Sequence, residues 1–79
     1  MPFEFEHTDT FAGQANYCWV NREVYKPKDD DKVTDRSLVI RAKRFAGFTG
    51  MRCKTEKYGD MIRITPYGMC QTVFINWID

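Results

Sequence analysis

Between Arg36 and Ala46 the spacing of apolar residues in this chain lengthens from two to about 3.6, and from Met51 onward it returns to two. Leu38, Val39, Ala42, Phe45 and Ala46 fall within about 60° of a common direction at ~100° per residue, which predicts one helix with a buried stripe. Asp35 stands where an N-cap is needed, and Gly47 follows the last turn as the residue able to take a left-handed conformation. Every other apolar segment alternates, so this one helix must find its core on a sheet.

The alternating segments lie on both sides of it. Phe3, Phe5 and His7 alternate with Glu4, Glu6 and Thr8, which predicts a half-buried strand over residues 2–7. Phe11-Ala12-Gly13-Gln14 supplies a turn, and Asn16 to Tyr25 is rich in aromatic and β-branched residues, so the first two strands form a hairpin joined by a longer loop. Lys26 to Thr34, with its proline and mixed charges, reads as an exposed loop. Beyond the helix, Met51, Cys53 and Thr55 oppose Arg52, Lys54 and Glu56. Lys57-Tyr58-Gly59-Asp60 then forms a tight turn, Met61 to Thr65 alternates, and Cys70 to Ile78 follows the break at Pro66-Tyr67-Gly68. The expected order is ββαβββ, an α+β fold with an antiparallel sheet of four to five strands and one helix, in a single small domain over residues 1–79.

A chain of 79 residues buries only roughly 60–65% of its unfolded surface, so the core is thin and a deep substrate cleft is not expected. Hydrophobic residues make up 43% of the chain and aromatic residues 15%, too many for disorder. The apolar runs are too short to cross a bilayer, and MPFEFEHTD has acidic residues where a secretory or transit signal carries basic ones. The cytoplasm is the expected location. Cys18, Cys53 and Cys70 show no framework spacing, which fits reduced thiols and predicts no disulfide.

Two constellations have the residue types for chemistry. Cys18, His7 and Asp9 supply a thiol, an imidazole and a carboxylate near one hairpin, but no helix N-terminus lies near Cys18 to depress its pKa. A buried small thiol and a hydrogen-bonded edge histidine are the simpler reading. His7 with the three cysteines has the count of a Cys₃His zinc site, yet the ligands fall on separate strands without a short knuckle. No cofactor or metal is expected, and no enzymatic activity. Gly47-Phe48-Thr49-Gly50 follows the helix instead of preceding it, so it is a C-terminal cap and not a phosphate cradle. Asp9, Thr10 and Gly13 are turn formers, and Tyr17 and Trp19 suit cross-strand packing.

Charge is the more informative signal. Residues 1–35 hold four basic and eight acidic side chains, residues 36–57 seven and one, and residues 58–79 one and two. On a helical wheel Arg36, Ser37, Ile40, Lys43 and Arg44 lie away from the buried stripe and Arg41 flanks it, while Arg52 and Lys54 share one face of the next strand. An apolar Ile40 ringed by cations has the form of a protein-interface anchor with a charged rim. Arg36, Ile40, Arg41, Lys43, Arg44, Arg52 and Lys54 are therefore the candidate partner-binding residues. The same block, with Tyr58, Tyr67 or Trp77 to stack bases, is the nucleic-acid alternative, and a merely solvated basic surface is the third reading.

The stretches HTDTFAGQANYCWVNR and GFTGMRCKTEKYGDMIRITPYGMC resemble a group of short proteins of bacteriophages, prophages and other mobile elements, with a likeness in type over nearly the whole chain. Those proteins typically carry His-Thr-Asp-Thr, an aromatic, a glycine-rich pair, Ala-Asn-Tyr and Trp-Val; here Ala12 stands where a second glycine is usual, a change expected to stiffen the turn. In size and style the chain is similar to anti-CRISPR proteins that act on type I effectors. The resemblance implies a non-enzymatic inhibitor in the host cytoplasm that occupies a surface of a host protein complex. It carries over no contact residue.

Overall fold

A computed structural model describes residues 2–28 and 31–78. The strands are β1 (Phe3–Phe11), β2 (Gln14–Tyr25), β3 (Cys53–Tyr58), β4 (Met61–Pro66) and β5 (Gln71–Trp77), and the helix α1 (Asp35–Ala46) lies between β2 and β3. The order is ββαβββ, as the periodicity predicts. All five strands join one antiparallel sheet in the spatial order β2-β1-β5-β4-β3, so the first and last strands meet at its centre. α1 packs across β1 and β5 on one face. The segment 26–34 contains two residues, Asp29 and Asp30, outside the described set.

Strand alternation builds the core. Phe3 and Phe5 of β1, Ile62 and Ile64 of β4, and Val73 and Ile75 of β5 point to the same face and meet Leu38 and Ala42 of α1. Val39, Phe45 and Ala46 pack around this centre half-buried, which accounts for the whole predicted stripe. The helix starts one residue earlier than expected. Thr34, not Asp35, is the N-cap: its hydroxyl accepts from the Ser37 N–H at 3.1 Å, and the Ser37 hydroxyl accepts from the Thr34 N–H at 2.9 Å. Asp35 then lies in the first turn, where its charge suits the helix dipole and pairs with Lys57 Nζ at 2.7 Å.

Gly47 ends the helix as expected, at φ 77°. Its N–H reaches the Arg44 carbonyl at 3.3 Å and the Phe48 N–H reaches that of Lys43 at 2.7 Å, the paired bonds of a Schellman turn. Phe48, 1% exposed, folds back into the core and anchors the turn.

The first hairpin departs from the expected longer loop. β1 continues to Phe11 and β2 begins at Gln14, leaving only Ala12 and Gly13 between them, at φ 52° and 81°. Positive φ at both positions is the two-residue hairpin geometry that suits strand twist. The irregularity lies further back, in a bulge where residues 16–19 oppose Asp9 alone, between the pairs Thr8↔Val20 and Thr10↔Ala15.

Candidate functional site

Arg36, Ile40, Lys43 and Arg44 stand at i, i+4, i+7 and i+8 of α1, so they form one continuous stripe on the side turned away from the sheet. Ile40 is 44% exposed, and Arg36 and Arg44 are exposed on either side of it. The Schellman turn brings Thr49 and Gly50 up beside the last helical turn, and Lys43 Nζ donates to the Met51 carbonyl at 2.8 Å. Between helix and loop lies an open hollow of about 170 Å³ lined by Ile40, Lys43, Arg44, Thr49 and Gly50. Its lining sets the apolar Ile40 beside the cations Lys43 and Arg44. Thr49 and Gly50 belong to this surface although the sequence marks them only as a cap; the signal is that a Schellman turn doubles the chain back onto the helix's final turn.

The rest of the basic block is dispersed. The Arg41 guanidinium stacks 3.9 Å from the centre of the Tyr25 ring, on the flank facing β2. Arg52 precedes β3, where its carbonyl accepts from the Tyr67 N–H at 3.1 Å. Lys54 alternates with Cys53, and since Cys53 packs against the core beneath α1, Lys54 projects from the opposite face of the sheet. There its ammonium lies 4.0 Å from Glu56. Among the described residues, the ion pairs are Arg22–Glu6, Lys54–Glu56 and Lys57–Asp35, so Arg36 and Arg44 take part in none of them.

The helix-free face of the sheet carries its own hollow of about 410 Å³, lined by Gly13, Lys54, Glu56, Arg63, Thr65, Pro66, Tyr67 and Gly68. The hairpin tip curls over this face, and Arg63 donates from Nη2 to the Gly13 carbonyl at 2.9 Å while its guanidinium lies 5.7 Å from the Phe74 ring. Phe74 is thereby only 7% exposed; Tyr25 and Trp77 are half-buried on the helix side beside Phe3. Tyr17 also reaches this face. Burial and the neighbouring Glu6 carboxylate push its phenol above the ordinary tyrosine range, with Arg22 and Arg63 acting in the opposite sense. A hydrogen bond to Glu56, followed by burial, raises Tyr58 in the same way.

No family model matches this chain, and neither a curated protein nor a solved structure does.

The thiol, imidazole and carboxylate named from the sequence are placed by the bulge. Asp9 accepts from the Cys18 N–H at 2.9 Å and from Asn16 Nδ2 at 2.9 Å. The Asn16 bond, ahead of the backbone bonds, holds the Asp9 carboxyl below the usual range. Thr8 bridges the other side, accepting from the Tyr17 N–H at 3.1 Å and donating to the Trp19 carbonyl at 3.0 Å. These two side chains stand in for the ladder bonds that four residues facing one cannot make. Cys18 Sγ lies 2.8 Å from Asn16 Nδ2, and Cys18 is exposed, as is Cys70; neither is the buried small thiol expected, while Cys53 is half-buried and all three are free.

His7 is not an edge residue. β1 lies inside the sheet, and the imidazole is buried edge-on among Trp19 at 4.7 Å, Phe48 at 5.2 Å and Phe45 at 6.3 Å, with Nε2 2.9 Å from Gln71 Oε1. Among the described residues, no group of three or more His, Cys, Asp and Glu side chains is placed to hold a metal ion, and no helix is long and apolar enough to cross a membrane.

Proposed function

We propose that this protein is a non-enzymatic binding domain whose α1 stripe docks on an acidic surface of a host protein complex and blocks it. Ile40 would be the desolvated anchor, seated with the hollow beside it, and Arg36, Lys43 and Arg44 the cationic rim that pairs with carboxylates. The observation that carries this reading is an exposed isoleucine, flanked by exposed arginines outside the described ion pairs, on a helix whose other side already supplies the core. Folding does not account for that apolar side chain. The likeness of HTDTFAGQANYCWVNR to proteins of mobile elements makes the preferred target a type I CRISPR effector, met in the cytoplasm of the host cell.

The test is a binding titration of the purified protein against a type I effector complex, with phage survival under CRISPR immunity as the cellular readout. Stoichiometric binding that protects phage is the expected result. Ile40→Glu combined with Arg44→Glu should weaken binding by about 100-fold or more while leaving the circular dichroism unchanged. Unaltered affinity in the folded double variant would reject this face.

The second reading is a small nucleic-acid-binding module. It is favoured by the exposed Tyr67, which lines the open-face hollow with Lys54 and Arg63, and by the exposed Tyr58, which bonds to Glu56 of the same lining. Glu56 lies among those same cations, which weakens the attraction for phosphate. Binding to single-stranded DNA or RNA that falls steeply as salt is added would favour this alternative, and no binding at low salt would remove it.

A further inference from the structure

The two edges of the sheet are unlike. β3 is six residues long and carries Lys54 and Lys57, charges that discourage a further strand. β2 is twelve residues long and contains neither lysine nor proline. Val20 to Tyr25 pairs regularly with β1 on one side, and among the described residues no strand lies on the other. The Trp19 carbonyl points inward, where it accepts from the Thr8 hydroxyl at 3.0 Å. Main-chain groups alternate along a strand, so the N–H and C=O of Val20, Arg22 and Val24 point outward with no strand to receive them.

We propose that β2 pairs antiparallel with β2 of a second copy of this chain, about a two-fold axis passing between the two Arg22 residues, so that one sheet continues into the other. The sequence of β2 is self-complementary in this register. In an antiparallel pair related by a two-fold axis, Val20 opposes Val24, Asn21 opposes Glu23 and Trp19 opposes Tyr25, and each pair occurs twice. Val24, 49% exposed, and Trp19, 39% exposed, both gain an apolar neighbour. The remaining pair sets Arg22 against Arg22, but each Arg22 Nε is held 3.1 Å from Glu6, so the junction reads carboxylate, guanidinium, guanidinium, carboxylate. Neighbouring registers lose this match: an axis at Asn21 sets Trp19 against Glu23, and an axis at Glu23 sets two carboxylates face to face.

Sedimentation equilibrium from about 1 µM to about 1 mM tests the pairing. The expected mass rises with concentration from the 9.4 kDa of one chain toward twice that value. Val24→Pro removes an outward N–H at an edge position that tolerates proline, and it should hold the mass at one chain. Amide exchange of Val20, Arg22 and Val24 in the unaltered protein should slow by about 10-fold or more with rising concentration, while β3 amides do not change. This second measurement decides the matter should the proline variant not fold. A single-chain mass throughout, a dimer that survives Val24→Pro, or concentration-dependent protection confined to other amides would overturn the proposal. The Ile40→Glu, Arg44→Glu variant should dimerise normally, which separates this pairing from the helix-face reading.

Discussion

Replacing Thr8 by valine keeps its shape and deletes only the hydroxyl, at a side chain with no exposed surface. That hydroxyl accepts from the Tyr17 N–H at 3.1 Å and donates to the Trp19 carbonyl at 3.0 Å, so the substitution orphans one donor and one acceptor of the bulge together. Each lost bond is worth about 1–1.5 kcal/mol, more where the stranded group stays dry, and the partly buried site places the total at about 2–3 kcal/mol. A domain of this length is stabilised by about 4–12 kcal/mol, so the loss is a large fraction of the whole and lowers Tm by about 10–20 °C. Thr8→Ser is the control: it keeps the hydroxyl and loses a buried methyl group, at about 1 kcal/mol. Urea unfolding of both variants at neutral pH, with equal slopes, measures the difference. If Thr8→Val lost less than about 1 kcal/mol, or less than Thr8→Ser, the hydroxyl would not be holding the bulge.

Ala12 sits at φ 52° in the two-residue turn, a conformation that costs an L-residue with a Cβ about 1 kcal/mol and that asparagine tolerates. Ala12→Asn should therefore raise stability by about 0.5–1 kcal/mol in thermal unfolding. Asp9 has a carboxyl pKa lowered by folding, so its contribution is present above the ordinary aspartate value of about 3.9 and is lost as the pH falls through the folded value. The stability difference between the unaltered protein and Asp9→Asn should accordingly shrink below about pH 4 in urea titrations. Tyr17 has the opposite sign: its raised phenol favours the neutral form in the fold, so stability is lost as the pH climbs above about 10, and Tyr17→Phe should flatten that limb.

The element order was legible because each periodicity matches one environment. Leu38, Val39, Ala42, Phe45 and Ala46 have one sheet face to cover, and the alternation of Phe3, Phe5 and His7 marks the strand they cover. What pattern alone could not show was where the partners come from. Asp35 and Thr34 are both good caps, and the choice fell to Thr34 because Ser37 stands three residues on to complete the reciprocal pair. Residues 8–15 read as a longer hairpin loop because a wide bulge looks like a break in alternation; its bonds run from Thr8 and Asp9 side chains to backbone groups of residues 17–19, a pattern with no fixed spacing. The basic block looked like one surface because its residues are consecutive in sequence, whereas α1 and β3 turn Arg44 and Lys54 to opposite sides of the sheet.

That division assigns different parts of the chain to different tasks. Thr8, Asp9 and Asn16 are consumed in closing the bulge, Lys57 and Asp35 pin β3 to the helix start, and Arg63 ties the hairpin tip down over Phe74. Each of these polar groups has a structural partner. Ile40 has none comparable: it lies outside the core cluster and borders an open hollow. Ile40→Lys should therefore change unfolding free energy by less than about 0.5 kcal/mol, as exposed surface substitutions do. A loss above about 1.5 kcal/mol in urea unfolding would show that Ile40 is needed for the fold itself, and would remove the reason for seeking its partner in another protein.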